Sequence, residues 1–173
     1  KLSILSSMAF HAHMPIDVIY REGITRLTAE DFEAAELLGY EIKLLAIGKK
    51  SGNAIEVRVH PTMVPKAHPL ASVRGVFNAI FLTGHAVGDV MLYGRGAGCM
   101  PTASAVMSDV IYACHATGRH RYMTFRNDAA LSNEVELVRD FACVYCIRLS
   151  VADAPGTMAA IAAVFAGHGV SLK

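Results

Sequence analysis

The stretch Tyr40-Glu-Ile-Lys-Leu-Leu-Ala-Ile-Gly-Lys-Lys-Ser-Gly-Asn-Ala-Ile-Glu-Val-Arg-Val-His60 decides the fold. Tyr40 to Ile47 is rich in apolar residues, and Lys49-Lys50-Ser51-Gly52-Asn53 is a polar turn. Ile55, Val57 and Val59 then alternate with Glu56, Arg58 and His60, the two-residue period of a half-buried strand. The whole segment predicts a β-hairpin. Pro61, Pro65 and Pro69 follow and predict an irregular crossing. Val76 to Thr83 and Val87 to Tyr93 predict two more strands about a Gly84-His85 turn.

Helical patterns flank these strands. Leu2, Leu5, Met8, Ala9 and Ala12 recur at three- and four-residue spacing, so a helix is expected over Lys1 to His13, ended by Pro15. Thr28 followed by Asp31 outlines a capping box, for a helix running through Phe32, Ala35 and Leu38 to a stop at Gly39. After Gly94-Arg-Gly-Ala-Gly98, a long helix is expected from about Thr102 to Ala116, with Ala105, Val106, Val110 and Ala113 inward. Residues 119 to 140 turn polar and read as a linker or lid, with Arg119-His120-Arg121 as a solvated basic knot. From Phe141 a second unit is expected: strand Cys143 to Val151, turn Ala152 to Gly156, helix Thr157 to Ala166, turn Gly167 to Gly169, and a strand from Val170. The fold class expected is α+β, an open, mixed and largely antiparallel sheet of four strands with helices packed on one face, followed by a smaller unit.

Composition narrows the function. Apolar residues make up 53% of the 173 and charged residues 18%, which supports a packed core rather than disorder. Lys and Arg number 16 against 15 Asp and Glu, a net charge of +1, so no concentrated basic face is available for nucleic acid. No window has the apolar length of a membrane span; the run Gly75 to Val90 is broken by Asn78, Gly84, His85, Gly88 and Asp89. Lys1 opens a helical pattern rather than a signal peptide, and without a start methionine the chain is expected to begin inside a larger protein or after processing. Four cysteines among apolar residues fit a reduced, cytoplasmic setting.

Several residues bear chemistry. Gly94, Gly96 and Gly98 lie between a strand and a helix, where glycines admit close approach of a ligand and the helix start offers free amides to negative charge. The spacing GxGxG is not the dinucleotide fingerprint, and a tight strand-to-helix turn explains it equally. Lys1, at a helix start, reads on its own as a solvated lysine. Cys143 and Cys146 have CxxC spacing, but within a strand they face opposite sides and read as two buried small side chains. His11 and His13 share no helix face, and no metal site is expected. His68 beside Pro69 is left between a partner-chain and a substrate contact.

Taken together, Lys1-Leu-Ser-Ile-Leu5, Glu22-Gly-Ile24, Leu38-Gly-Tyr-Glu-Ile-Lys-Leu-Leu45, His68-Pro-Leu-Ala71, Asn78-Ala-Ile80, Gly94-Arg-Gly-Ala-Gly98, Pro101-Thr-Ala-Ser-Ala-Val106 and Asp109 resemble the homoserine dehydrogenase family. The order and spacing carry the resemblance, over residues 1 to about 117. The tail from Phe141, with Asp153-Ala-Pro-Gly156-Thr157 before a small-residue helix, resembles the opening of an ACT domain, a ferredoxin-like sensor of small molecules. The resemblance implies a substrate and dimerisation domain at 1–117, a linker at 118–140 and the first part of an ACT unit at 141–173, with the nucleotide-binding domain absent from this chain.

The family interconverts L-homoserine and L-aspartate 4-semialdehyde with NADP or NAD, on the route to threonine, methionine and isoleucine. An alkoxide is too basic to form freely in water, so a proton must move with the hydride, and a positioned lysine can carry it. The resemblance places that lysine at Lys1. It places a dinucleotide contact at Gly98, with Gly96 and Ala97 beside it. It also implies a homodimer and an amino-acid effector, threonine, at the ACT unit. The chain on its own is expected to lack hydride transfer. An alternative reading is a non-catalytic dimerisation and amino-acid-sensing module.

Overall fold

The computed structural model describes residues 1–115 and 135–170. Arg119-His120-Arg121, most of the expected linker, and the strand expected beyond Val170 lie outside the described residues. The chain divides into two compact units, Lys1–Phe141 and Ala142–Lys173.

The hairpin is the centre of the first unit. Strand β2 runs Tyr40–Ser51 and β3 runs Ala54–Pro65, in unbroken antiparallel register from Ser51↔Ala54 to Tyr40↔Pro65. The turn is tighter than the sequence suggested: only Gly52 and Asn53 lie between the strands, and Gly52 adopts φ +58°. Such a two-residue turn needs positive φ, which glycine supplies without a Cβ clash. Lys49, Lys50 and Ser51 belong to the strand.

The expected break at Pro61 and Pro65 does not occur, because β3 runs through Pro61 and ends at Pro65. Register gives the reason. Lys66 N–H donates to Gly39 O at 3.0 Å, and hydrogen-bonded pairs alternate along an antiparallel ladder. Pro61 (opposite Leu44) and Pro65 (opposite Tyr40) therefore fall on the non-bonded pairs, where a missing N–H costs the β2–β3 ladder nothing.

On its other side β3 takes two short parallel partners in succession. Strand β1, Tyr20–Arg21, pairs with Arg58 and Val59, and β6, Glu136–Val138, pairs with Ala54 to Glu56. Strand β6 falls inside the stretch expected to be linker. Strands β4 (Phe77–Gly84) and β5 (Gly88–Arg95) form their own two-stranded antiparallel sheet about His85, Ala86 and Val87. The single four-stranded sheet expected from the sequence is thus two sheets, one partly parallel. Alternation predicts a strand but is blind to which edge it joins.

Helix α1 spans Leu2–Phe10 and ends at His11, in the left-handed conformation at φ 53°, four residues before Pro15. It lies on the β3 face that carries Ile55 and Val57, where Leu2 and Phe10 pack against a core of Ala12, Met14, Ile19, Ile55 and Val57. The face expected to be inward is only partly so: Ala12 is buried and Leu2 half-buried, but Leu5 and Met8 are 45% and 52% exposed and Ala9 is exposed, whereas Ser6 is buried. Serines face inward because they do specific work. Ser3 Oγ donates to Met14 O at 2.6 Å, and Met14 N–H donates to Ser7 Oγ at 3.1 Å, which folds the segment after the helix back beneath it.

Helix α2, Ala29–Leu37, starts as expected: the Asp31 carboxylate accepts from the Thr28 N–H at 2.8 Å and from the Thr28 hydroxyl at 3.1 Å. Gly39, at φ +82°, stops it. Ala35 is buried, and Phe32 and Leu38 are exposed.

Helix α3, Cys99–His115, starts three residues earlier than expected, and none of its residues is buried, including Ala105, Val106, Val110 and Ala113. Its pattern is amphipathic, yet no described element covers its apolar side.

In the second unit, helix α4 spans Thr157–Gly167 as expected. The strand expected over Cys143 to Val151 is not formed. A strand needs a partner for its backbone groups, and among the described residues this segment joins no ladder. Its side chains are correspondingly open, with Val144 100% exposed.

Candidate active site

The three glycines of the expected ligand turn sit where β5 gives way to α3. Gly94 and Arg95 close β5, opposite Asn78 and Phe77 of β4. Gly96 N–H donates to Val76 O at 3.0 Å, so the bend stays tied to β4 after the ladder ends. Gly98 adopts φ +124°, a conformation that any side chain would strain. Its carbonyl accepts from Thr102 N–H at 3.1 Å, which makes it the entry to α3. The first amides of a helix have no intrahelical partner, and they open here beside an exposed, glycine-lined bend.

Gly96 faces a side chain of β4. A Cβ built on it would overlap the carboxamide of Asn78, touching Nδ2, Cγ and Oδ1. Arg95, between the glycines, places its guanidinium 5.3 Å from the centre of the Phe77 ring, and Phe77 stacks on Tyr93 with centroids 4.8 Å apart. The residues expected to contact a dinucleotide, Gly96, Ala97 and Gly98, are therefore adjacent, exposed and held from β4.

Lys1 stands at the start of α1, where its carbonyl accepts from Leu5 N–H at 3.0 Å. It is exposed, and its side chain shares no hydrogen bond with the glycine bend. His68 caps the 3-10 turn Pro69–Ser72: its Nδ1 accepts from Leu70 N–H at 3.2 Å, and its ring lies 4.7 Å from that of Phe81 in β4. That histidine thus connects the segment after β3 to the β4–β5 hairpin.

The two sulfurs of the CxxC spacing are not buried, as the sequence reading had them; Cys143 and Cys146 are both exposed and free. The strand that was to bury them is absent. His11 and His13 are exposed as well. Among the described residues no group of three or more His, Cys, Asp or Glu could hold a metal ion, and no helix is long and apolar enough to cross a membrane.

Sequence reading missed a polar cluster on the β3 face opposite α1. Glu56 and Arg58 form an ion pair whose side chains are 18% and 5% exposed. The Phe141 ring covers it, 4.3 Å from the Arg58 guanidinium carbon and stacked on His60 at 5.9 Å, with Tyr20 edge-on at 5.5 Å. In the sequence these residues looked like the solvated side of an alternating strand. Asn78 was quoted only for its place in a motif, and no spacing rule links residue 78 to residue 96.

A family model described as "Homoserine dehydrogenase" matches residues 1–111. The chain belongs to the homoserine dehydrogenase family. It is 42% identical to a homoserine dehydrogenase of Corynebacterium glutamicum and 39% identical to one of Neisseria gonorrhoeae, with 100% of this chain covered in both. It spans 40% and 41% of those two proteins. Among solved structures, a homoserine dehydrogenase from Thiobacillus denitrificans superposes with a TM-score of 0.73 at 34% identity, over 96% of this chain and 40% of that one. A homoserine dehydrogenase from Staphylococcus aureus gives 0.59 at 39% identity, over 65% and 28%.

Proposed function

We propose that residues 1–117 are the substrate and dimerisation domain of a homoserine dehydrogenase, joined by a linker at 118–140 to the first part of an ACT-type unit at 141–173. The complete cytoplasmic enzyme would interconvert L-homoserine and L-aspartate 4-semialdehyde with NADP or NAD, as a homodimer responsive to threonine. The observation that carries this reading is the glycine bend: a strand, a turn whose last glycine has φ +124°, and a helix start lie together inside the matched residues. The apolar residues left open on α1 and α3 support it further, since they suit helices that a larger assembly covers.

The bend fits a dinucleotide. Gly96, Ala97 and Gly98 are exposed, Gly98 holds a positive φ that suits only glycine, and Ala97 adds only a methyl group, so the backbone of the bend is accessible to a phosphate-rich ligand. Gly96, Ala97 and Gly98 would hold it there. The bound dinucleotide would supply or accept the hydride. Lys1 Nζ would hold the proton that leaves or joins the substrate oxygen as the alcohol and aldehyde interconvert. Its ammonium makes no ion pair within the described residues, which leaves it free to meet a substrate.

Replacement of Lys1 by alanine in the complete enzyme tests the assignment. Turnover should fall by about 100-fold or more in both directions. The thermal midpoint should hold, because no described side-chain bond is lost. Near-normal turnover would refute the role of Lys1.

A further inference from the structure

We infer that Asn78 is a positioning residue that fixes the glycine bend in the form that receives the dinucleotide. This inference rests on the proposed cofactor role of the bend. With glycines at 94, 96 and 98 the bend is the segment with the most backbone freedom near that site, and a binding surface that must first be ordered binds weakly. Something outside the bend must hold it, and three consecutive residues do. Val76 O takes the Gly96 N–H, the Phe77 ring takes the Arg95 guanidinium, and Asn78 fills the notch that only glycine at 96 leaves.

Asn78 and Gly96 are complementary shapes. The register puts Asn78 directly opposite Gly94, so its side chain reaches diagonally to the residue two further on. A Cβ at 96 would meet all three polar-end atoms of that side chain and would have to displace it. Asn78 is exposed, and no hydrogen bond to a described residue draws its carboxamide elsewhere. Burial does not explain why it lies against the bend. Two consequences follow. Loss of Asn78 should weaken the dinucleotide rather than the chemical step. Alanine at 96 should act by driving Asn78 out, so the two substitutions share one effect.

The test uses the complete enzyme with Asn78→Ala, Gly96→Ala and the double variant, titrated with NADPH and NADH by fluorescence and followed by steady-state kinetics. Each single change should raise the dinucleotide Kd and KM by about tenfold, with kcat at saturating cofactor held within about threefold. The double variant should be no worse than the weaker-binding single. Multiplying effects, an unchanged Kd in Asn78→Ala, or an equal loss in kcat would overturn the inference. Gly98→Ala separates it from the reading beneath. Unchanged affinity in Gly98→Ala would remove the cofactor role of the bend altogether. Weakened affinity there, with independent effects at 78 and 96, would remove only the role of Asn78.

Discussion

Gly48 lies in the middle of β2, opposite Val57, and the space of its missing side chain is occupied by α1. A Cβ there would sit 3.1 Å from Ser6 Oγ and 3.2 and 3.4 Å from two carbons of the Phe10 ring. Ser6 is buried and Phe10 packs on the core, so neither can simply swing into solvent. For Gly48→Ala the two effects nearly balance. Removing a strand glycine gains about 0.5–1 kcal/mol, and a misfit of a few tenths of an ångström returns a similar amount. For Gly48→Val the balance tips. Overpacking costs about 1–3 kcal/mol against a strand-propensity gain of at most about 1 kcal/mol. The net loss of roughly 1–2 kcal/mol corresponds to roughly 3–8 °C in thermal midpoint for a unit of this size. Thermal and urea unfolding of the purified chain measure it. Gly94→Ala is the comparison: Gly94 also lies in a strand, has no atom within 4 Å of the new Cβ, and should be neutral or slightly stabilising. A Gly48→Val midpoint equal to the parent's, or an equal drop in Gly94→Ala, would refute the claim that α1 side chains fill the space beside Gly48.

Two further outcomes follow from the polar side of β3 and its neighbour β1. Glu56→Gln strips the buried Arg58 of its counter-ion, which costs about 3–5 kcal/mol for a lone buried charge, less about 1–2 kcal/mol retained through Phe141. Urea unfolding should show most of that loss, and Glu56→Gln with Arg58→Met should recover most of it; a single variant as stable as the parent would show the ion pair to be dispensable. Tyr20 has a phenol held above its ordinary value of 10.0, first because it donates to Glu22 Oε2 at 3.1 Å, then through burial and the Glu22 charge, with Arg26 opposing. Since the folded value is the higher one, whatever stability the bond lends is present below pH 10 and disappears as pH rises through the raised value. Glu22→Gln should bring the Tyr20 titration, followed by NMR of ring-labelled tyrosine, back toward 10.0; an unmoved titration would remove Glu22 as the cause.

What the sequence made legible follows a physical line. Local signals came through: the turn at Gly52-Asn53, the Thr28–Asp31 cap, the stop at Gly39 and the extents of β4, β5 and α4. Each depends on a few neighbouring residues whose backbone chemistry is stereotyped. Burial was misread wherever it depends on a distant surface. The α1 periodicity pointed to Leu5 and Met8 as inward, whereas the bonds that Ser3 donates to Met14 and Ser7 accepts from it set the helix on its serine side. Arg58 looked solvated because alternation puts it opposite the Ile55 face. It is buried because Phe141, 83 positions later, comes to rest on it.

The same division runs through the candidate site. The glycines could be read because a strand-to-helix bend has to be built from them. The residue that holds the bend could not be read, because the Asn78–Gly96 fit is a matter of register between β4 and β5 rather than of spacing. A motif therefore marks where the backbone must be bare, and the neighbouring strand determines the shape in which it is held. If so, a change at Asn78, on the face toward Gly96, should alter ligand affinity, and a change on the other face clear of the Phe77–Arg95 contact should not. The alternation along a strand makes that contrast available within one hairpin: Asn78 lies on the first face, and Ala79, its neighbour opposite Tyr93, on the second.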